Sequence, residues 1–291
     1  MAIPPIKVFR PSGFQELFSS WSSNPDAVLC AGGTEHIRNQ NSRIPTLTRK
    51  IISLDRIEEL HKISRSERYL EIGSMVKLSK IINLGKIVPE VLIQCLENIA
   101  SPQIRSQATI GGNICNSTVK LDTSAPMIAL DAQYELRSAQ SVRWVSASRF
   151  STQPGPLSLT SQECLTRIRV PLEPWTFTWY RKFNFSLSSR PGGCILLILR
   201  NQKDILTDIR VLYLSQAILR EKNAESMLMG KHLPLDHRDA SAFVDRWKNY
   251  LSSMPEGENT EFSGEYGNLS PGLIKTQILR FIESTLMHIS D

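Results

Sequence analysis

The sequence lacks the glycine patterns with which many proteins hold nucleotides. None of its 15 glycines stands two positions from another, so the GxGxxG fingerprint of Rossmann folds is absent. The GxxxxGK pattern of a phosphate-binding Walker loop is absent as well. Any nucleotide that this chain binds is therefore held in another way.

Cysteine is scarce and irregularly placed. The five cysteines are an odd number, and no two of them are arranged as CxxC. This argues against a disulfide framework, a structural zinc site and an iron–sulfur cluster held by this chain alone. We expect a protein of the reducing cytoplasm.

Long apolar runs and concentrated charge are missing too. The longest apolar run, CILLIL at 194–199, is too short for a membrane span, and MAIPPIKVFRP has prolines where an export signal needs an apolar helix. The net charge of +6 is spread along the chain without a basic stripe that includes aromatic residues. We therefore expect no membrane span and no nucleic-acid partner, although the charge would suit an anionic ligand.

The sequence does contain two pairs of adjacent glycines in similar surroundings. They lie in AGGTEH (31–36) and in SQATIGGNICNS (106–117), each after an apolar stretch and before a small polar residue. Successive glycines let backbone N–H groups point to one side and form a concavity for an anion, and two such concavities would suit a pyrophosphate. The alternative is that each pair is an ordinary turn at the end of a strand.

The pattern of apolar residues predicts an α+β fold with a boundary near PLEPW (171–175), where two prolines interrupt regular structure. The first 55 residues or so predict a strand–helix–strand unit, whose helix begins with a capping box formed by Ser12 and Gln15. Short strands and helices follow, including a hairpin formed by AQYELRS and SVRWVSA. Beyond the boundary, alternating strands precede a helical region. The predicted division is 1–55, 56–172 and 173–291.

The two glycine pairs resemble the flavin-binding loops of the FAD subunits of molybdenum hydroxylases, a family that includes xanthine dehydrogenase and carbon monoxide dehydrogenase. AGGTEH is similar to the first loop, and SPQIRSQATIGGNICNSTVKLDTSAPMIALDA (101–132) to the second loop and its following helix. ILTDIRVLYLSQAILREKNAESMLMGK (205–231) is similar to the C-terminal domain of the family. The resemblance implies a two-part FAD-binding domain of the PCMH type, followed by a smaller α+β domain with an antiparallel sheet and a helical cluster.

The same resemblance implies that FAD lies between the two parts of the first domain. Its binding residues would be Ala31, Gly32, Gly33, Thr34 and Glu35 on one side, and Thr109, Ile110, Gly111, Gly112 and Asn113 on the other. We expect side chains to be absent at 111–112 because the phosphates or the flavin ring must approach the backbone there. On this view, Gly111→Val should abolish flavin retention and leave the fold mostly intact.

Four further residues have competing explanations. Asp122 stands where the family has an acidic residue that contacts the flavin nucleotide, but DTSAP is also a natural helix start. Lys182 matches a family lysine near the flavin, which would stabilise the reduced ring, and it equally suits a solvated strand position. Ile99 matches a position beside the ring and also suits the core, and Cys115 is expected to be a small hydrophobe rather than a reactive thiol.

The resemblance also implies an oxidoreductase subunit that transfers electrons. Iron–sulfur clusters pass single electrons and nicotinamide takes two, and FAD joins the two kinds of transfer. Because the chain has no cysteine clusters and no evident molybdopterin motif, an iron–sulfur subunit and a molybdopterin subunit are expected as partners in a heteromeric complex. The final acceptor could be NAD, oxygen or another redox protein.

Two segments depart from the family pattern. They are VKL at 119–121 and FSLSSRPGGC at 185–194, the second of which we interpret as a loop with a turn at Gly192–Gly193. These departures leave open a flavin-free structural or assembly subunit with the same fold. A stand-alone flavin oxidase is disfavoured because the C-terminal domain is small.

Overall fold

The computed structural model describes residues 6–39, 50–116, 123–150, 158–184, 191–214, 218–253 and 271–290. The chain divides into two compact units, Met1–Glu173 and Pro174–Asp291. Three separate sheets and many short helices confirm the predicted α+β class.

The first unit begins with a three-stranded parallel sheet. Its strands are β1 (Lys7–Phe9), β2 (Val28–Cys30) and β3 (Lys50–Ser53), in the order β1-β3-β2. Helix α1 (Phe14–Ser23) buries Leu17 and Phe18 in the core that Ile52 of β3 also joins. A second, shorter helix, α2 (Thr34–Asn39), begins directly after the loop that follows β2.

The start of α1 differs from the predicted capping box. The carboxylate of Glu16, not the amide of Gln15, accepts hydrogen bonds from the N–H and the hydroxyl of Ser12, at 2.8 and 2.9 Å. Gly13 is the N-cap residue, so the helix begins one position later than the capping box requires and Glu16 occupies the third helical position.

An antiparallel sheet of five strands forms the remainder of the first unit, in the order β4-β5-β8-β6-β7. The strands are β4 (Ile63–Arg65), β5 (Tyr69–Gly73), β6 (Gln133–Arg137), β7 (Val142–Ser146) and β8 (Cys164–Pro171). The pairing of β6 with β7 confirms the predicted hairpin. In the sheet, β8 lies between β5 and β6. The chain segment that connects β5 to β6 therefore leaves the sheet and then returns to it.

That segment is mostly helical and contains the second glycine pair. Its helices are α3 (Leu78–Ile82), α4 (Glu90–Glu97), α5 (Pro102–Arg105), α6 (Ile110–Ile114) and α7 (Ser124–Ala129). A further helix, α8 (Ala147–Phe150), follows β7. Two 3₁₀ turns, Glu58–His61 and Gly85–Ile87, complete the described helical structure of the first unit. Helix α4 packs on α7, and α6 packs on β8, so the helices hold the second loop against the sheet.

The second unit consists of an antiparallel sheet and a helical cluster, as predicted. The strands are β9 (Phe177–Asn184), β10 (Pro191–Gln202), β11 (Ile205–Leu214) and β12 (Ile218–Leu219), in the order β12-β11-β10-β9, and the helices are α9 (Lys222–Leu228), α10 (His237–Ser253) and α11 (Pro271–Ser290). Trp247 and Phe281 from the helices share a buried core with Leu197 and Val211 from the sheet. None of the helices in the described ranges is long and apolar enough to cross a bilayer.

The predicted turn at Gly192–Gly193 is wrong. Residues 191–194 form the beginning of β10, and the pairing with β9 shifts register between Pro191 and Cys194. Gly193 has a φ of 122°, a backbone conformation that favours glycine. This conformation occurs at an irregularity in the strand and not in a turn. The rest of this segment that departs from the family pattern, 185–190, lies outside the described residues.

Candidate functional site

The two glycine-containing loops meet within the first unit. A Cβ atom on Gly32 would lie 2.3 Å from the carbonyl oxygen of Gln107 and 3.1 Å from the Cα of Ala108. A Cβ atom on Gly112 would lie 3.4 Å from the Cβ of Ala31. Residues 31–34 and 107–112 are therefore in direct main-chain contact, and we call this place the loop junction.

The second loop uses its own amides to hold itself in place. The N–H of Ile110 donates to the carbonyl of Val76 at 3.0 Å, and the N–H of Gly111 donates to the carbonyl of Ser74 at 2.9 Å. The N–H of Gly112 donates to the side-chain oxygen of Thr109 at 3.1 Å, which caps α6. These amides already have acceptors, so the second glycine pair does not form the open anion concavity that we expected there.

The structure gives a different reason for the glycine at position 111. A Cβ atom there would lie 2.5 Å from the Cβ and 2.7 Å from the carbonyl oxygen of Ser74, which is itself buried. The side chain is absent because α6 packs on the chain after β5, and the neighbour is protein rather than a ligand. The expectation that Gly111→Val would leave the fold mostly intact is contradicted by this contact.

The first loop has the opposite character. The backbone N–H groups of Gly32, Gly33 and Thr34 donate to no acceptor among the described residues. Gly33 has a φ of 72°, and a Cβ atom there would meet nothing nearer than the Sγ of Cys30, at 3.8 Å. Glu35 follows in the first turn of α2. This loop retains the arrangement that suits an anion, because a run of amides without acceptors attracts negative charge.

Lys77 brings a positive charge to the loop junction. It follows β5, and its Nζ donates to the carbonyl oxygen of Gln107 at 2.7 Å, the atom that also faces Gly32. Burial lowers the pKa of Lys77, and the nearby negative charge of Asp55 opposes that shift. Lys77 could not be identified from the sequence because VKLSK is typical of an ordinary helix start, and only the contact with Gln107 shows where the side chain lies.

Asn113 connects the second loop to the next helix. Its Oδ1 accepts a hydrogen bond from the hydroxyl of Thr123, and both residues are buried. Thr123 is the N-cap residue of α7. Asp122 and the departing segment 119–121 lie outside the described residues, so the predicted contact of Asp122 with a nucleotide stays a prediction.

Ile99 lies half-buried in the turn after α4. Arg105 holds this turn: its Nη1 donates to the carbonyls of Glu97, Ile99 and Ala100, at 3.0, 2.8 and 2.8 Å. Ala100 has a φ of 45°, so the guanidinium stabilises a backbone conformation that is unfavourable for alanine. Arg105 therefore fixes the entry to the second loop, and a place for Ile99 beside a ring stays a prediction.

Lys182 and Cys115 are the remaining residues that the sequence singled out. Lys182 belongs to the second unit, where its strand pairs it with Cys194, and its role near a flavin stays a prediction. Cys115 is a free thiol, and desolvation raises its pKa to about 12. A thiol with a raised pKa is protonated near neutral pH, which agrees with the expectation, and the absence of a reactive thiol at Cys115 stays a prediction.

Comparison with known proteins adds the following findings. Residues 4–173 match the family described as FAD binding domain in molybdopterin dehydrogenase. The xanthine dehydrogenase FAD-binding subunit of Escherichia coli O157:H7 is 33% identical over 184 residues, which cover 61% of this chain and 62% of that relative. The carbon monoxide dehydrogenase medium chain of Hydrogenophaga pseudoflava is 27% identical over 222 residues, or 75% of this chain and 77% of the relative. The alignment thus spans less than two thirds of the length of the Escherichia coli protein.

The fold is shared with solved structures. A crystal structure of quinoline 2-oxidoreductase from Pseudomonas putida 86 superposes with a TM-score of 0.81 at 20% identity, and covers 100% of this chain and 98% of the matched chain. At this identity the superposition establishes a common fold for the whole chain and nothing further.

Proposed function

The chain belongs to the family of FAD binding domains in molybdopterin dehydrogenases, and from that membership we propose that it is the FAD-carrying, electron-transferring subunit of a xanthine dehydrogenase-like molybdenum hydroxylase. The single observation that supports this most strongly is the loop junction. Two loops that are far apart in the sequence meet through Gly32 and Gln107. The amides of one loop donate to no acceptor among the described residues, and a lysine lies beside the other loop.

The residues at the junction fit the diphosphate of FAD. Gly32, Gly33 and Thr34 would donate backbone N–H groups to phosphate oxygens, because no protein acceptor in the described part of the chain uses them. Gly111 and Gly112 would serve a different purpose, which is to let α6 and the first loop pack closely enough to define the wall of the site. Asp122 and Lys182 are proposed contacts for the nucleotide and the flavin ring.

FAD would supply the ability to accept electrons singly and to release them in pairs. The protein would bind and orient it. The proposed source of electrons is an iron–sulfur subunit, and a molybdopterin subunit would oxidise the substrate of the complex. NAD is the proposed acceptor, with oxygen or another redox protein as alternatives.

The names of the relatives support a chain that works inside a larger complex. The relatives include proteins named as a subunit and as a medium chain, which are terms for parts of a heteromeric enzyme. Separately, none of the five cysteines forms a disulfide, which fits the reducing cytoplasm that we propose as the location of the chain.

One observation favours the second candidate, a flavin-free structural or assembly subunit with the same fold. The amides of Ile110, Gly111 and Gly112 are all used within the protein, which leaves fewer donors for a cofactor than two open glycine pairs would offer. The two candidates differ in one measurable property, the ability of the folded chain to hold FAD.

Isolation of the complex from its native host tests the proposal. We expect the chain to co-purify with a chain that contains iron–sulfur clusters and with a chain that contains molybdopterin, and with bound FAD released on denaturation. Reduction of the complex by its substrate should bleach the flavin absorbance, and NAD should restore it. Purification of the chain with neither cofactor-bearing partner would contradict the proposed electron-transfer role.

A further inference from the structure

We infer that Lys77 is the charged residue that binds the diphosphate of FAD from the side of the second loop, at the loop junction. This inference deepens the proposed function and rests on it. It assigns a binding role to a residue outside both glycine-containing segments.

The position of Lys77 is fixed by the contact with Gln107. Its Nζ lies 2.7 Å from the carbonyl oxygen of Gln107, and a Cβ atom on Gly32 would lie 2.3 Å from that same oxygen. The ammonium group and the first loop therefore both lie close to this one oxygen atom. The backbone around Lys77 is also held, because Leu78 donates its N–H to the carbonyl of Ala108 at 3.0 Å.

The ammonium group has donors to spare. A protonated lysine has three N–H donors, and Gln107 takes one of them. No carboxylate lies within ion-pair distance of Lys77 among the described residues. Asp55 is close enough to influence its charge, but the carboxylate of Asp55 accepts the hydroxyl hydrogen of Ser53 at 2.6 Å instead.

The surroundings of Lys77 favour an anion. The hydrogen bond between Lys77 and Gln107 lies at an exposed position, so the remaining N–H donors of the ammonium group are accessible to a ligand. The amides of Gly32 and Gly33 present further positive partial charge at the same junction without an acceptor. A diphosphate has several oxygens, so it could accept hydrogen bonds from donors on both loops.

The charged and titratable groups near Lys77 do not prevent an anion from binding to its ammonium group. Besides Asp55, the group that influences it is the thiol of Cys30, whose pKa is raised by burial and then by Asp55. A thiol with a raised pKa is neutral near pH 7, so it does not compete with a phosphate for the ammonium group.

Binding of three nucleotide probes to the FAD-stripped full chain tests the inference. The probes are FAD, ADP and adenosine, and calorimetry measures their dissociation constants at several NaCl concentrations. We expect Lys77→Gln to weaken FAD and ADP alike by about tenfold to a hundredfold, as for loss of a hydrogen bond to a charged group, and to leave adenosine unchanged. The salt dependence of FAD binding should become shallower in the same variant.

Two control variants separate charge from packing. Lys77→Arg keeps the charge and should restore most of the FAD affinity and its salt dependence. Lys80→Gln removes a charge from an exposed position of α3, the helix whose N-cap residue is Lys77, and should have no effect on FAD affinity. If Lys77 only fastened Gln107, Lys77→Gln would weaken adenosine as much as ADP, and the inference would be overturned.

Two different binding results distinguish a wrong inference about Lys77 from a wrong proposed function. Wild-type protein that binds FAD, together with a Lys77→Gln variant that binds it equally well, overturns the role of Lys77 alone. Folded wild-type protein that binds neither FAD nor ADP overturns both.

Discussion

The carbonyl oxygen of Gln107 occupies the space that a side chain on Gly32 would need. A Cβ atom on Gly32 would lie only 2.3 Å from this oxygen, which is well inside van der Waals contact. The second loop therefore requires glycine at position 32, while Gly33 adopts a positive φ; Gly111 is required by Ser74, and Gly112 lies against Thr109 and Ala31. Gly32 and Gly111 each allow two main-chain segments to approach, and Gly32 places the first loop against the second.

Gly32→Ala tests this contact. The added methyl group must push the two loops apart, so we expect the free energy of unfolding to fall by about 1–3 kcal/mol, as in overpacked cores. Under the proposed function, FAD affinity should fall as well. Chemical denaturation measures the first effect and FAD titration the second. The control is Gly13→Ala, because a Cβ atom on Gly13 meets nothing within 4 Å. Gly13 is the N-cap residue of α1, so this control should lose only about 0.5–1 kcal/mol, and equal stability losses in the two variants would refute the contact.

Gly111→Ala should destabilise the chain more than Gly112→Ala. At position 111 the new methyl group meets both the Cβ and the carbonyl oxygen of Ser74 within 2.7 Å, whereas at position 112 the nearest atoms are at 2.9 and 3.4 Å. Thermal unfolding of the two variants, followed by circular dichroism, measures the order. The reverse order would show that α6 does not pack on Ser74 as described.

Thr123→Val tests the connection between the second loop and α7. The substitution preserves the shape of the side chain and removes the hydroxyl that donates to the Oδ1 of Asn113. Because both residues are buried, loss of the donor should lower the free energy of unfolding by about 1–3 kcal/mol. Thr123→Ser keeps the hydroxyl and should retain more of this stability. A valine variant as stable as the serine variant would show that the hydrogen bond contributes nothing.

Glu163 should make the stability of the first unit depend on acid pH. Arg143 donates to both of its carboxylate oxygens at 2.7 Å, and these hydrogen bonds lower the pKa of Glu163 from 4.5 to about 2. A carboxyl group with a lowered pKa stabilises the folded state above the unfolded pKa, and this stabilisation is lost as the pH falls from 4.5 towards 2.

Glu163→Gln should therefore lower the free energy of unfolding by about 1–2 kcal/mol at pH 7, and the difference from wild type should shrink below pH 4.5. Urea denaturation at a series of pH values measures both quantities. Glu97→Gln, at an exposed position, is the control and should leave the profile unchanged. A difference that stays constant across this pH range would mean that the charge of Glu163 is not the cause.

The elements of this fold could be predicted because their residues alternate or recur with regular spacing. The β6–β7 hairpin and the strand–helix–strand beginning follow from local pattern and turn residues alone. The positions of both glycine pairs were also evident, and their resemblance to flavin loops indicated that they belong together. Local pattern could not show that Gly111 packs on Ser74, since this contact joins residues far apart in the chain.

Lys77 and Arg105 were missed for the same reason. Each acts on backbone carbonyls that no sequence motif marks, Lys77 on Gln107 and Arg105 on the turn around Ile99. The capping residue at α1 differed by one position because either Gln15 or Glu16 can reach back to Ser12, and the exact start of a helix decides between them.

The most direct test of the central claim is the amount of FAD that the purified, folded full chain holds after reconstitution. We expect wild-type protein to bind about one FAD per chain, as a single junction of two loops requires, and Gly32→Ala to bind it much more weakly while Gly13→Ala binds it normally. Wild-type protein that is folded by circular dichroism and remains free of flavin after incubation with excess FAD would contradict the claim and favour the flavin-free structural subunit.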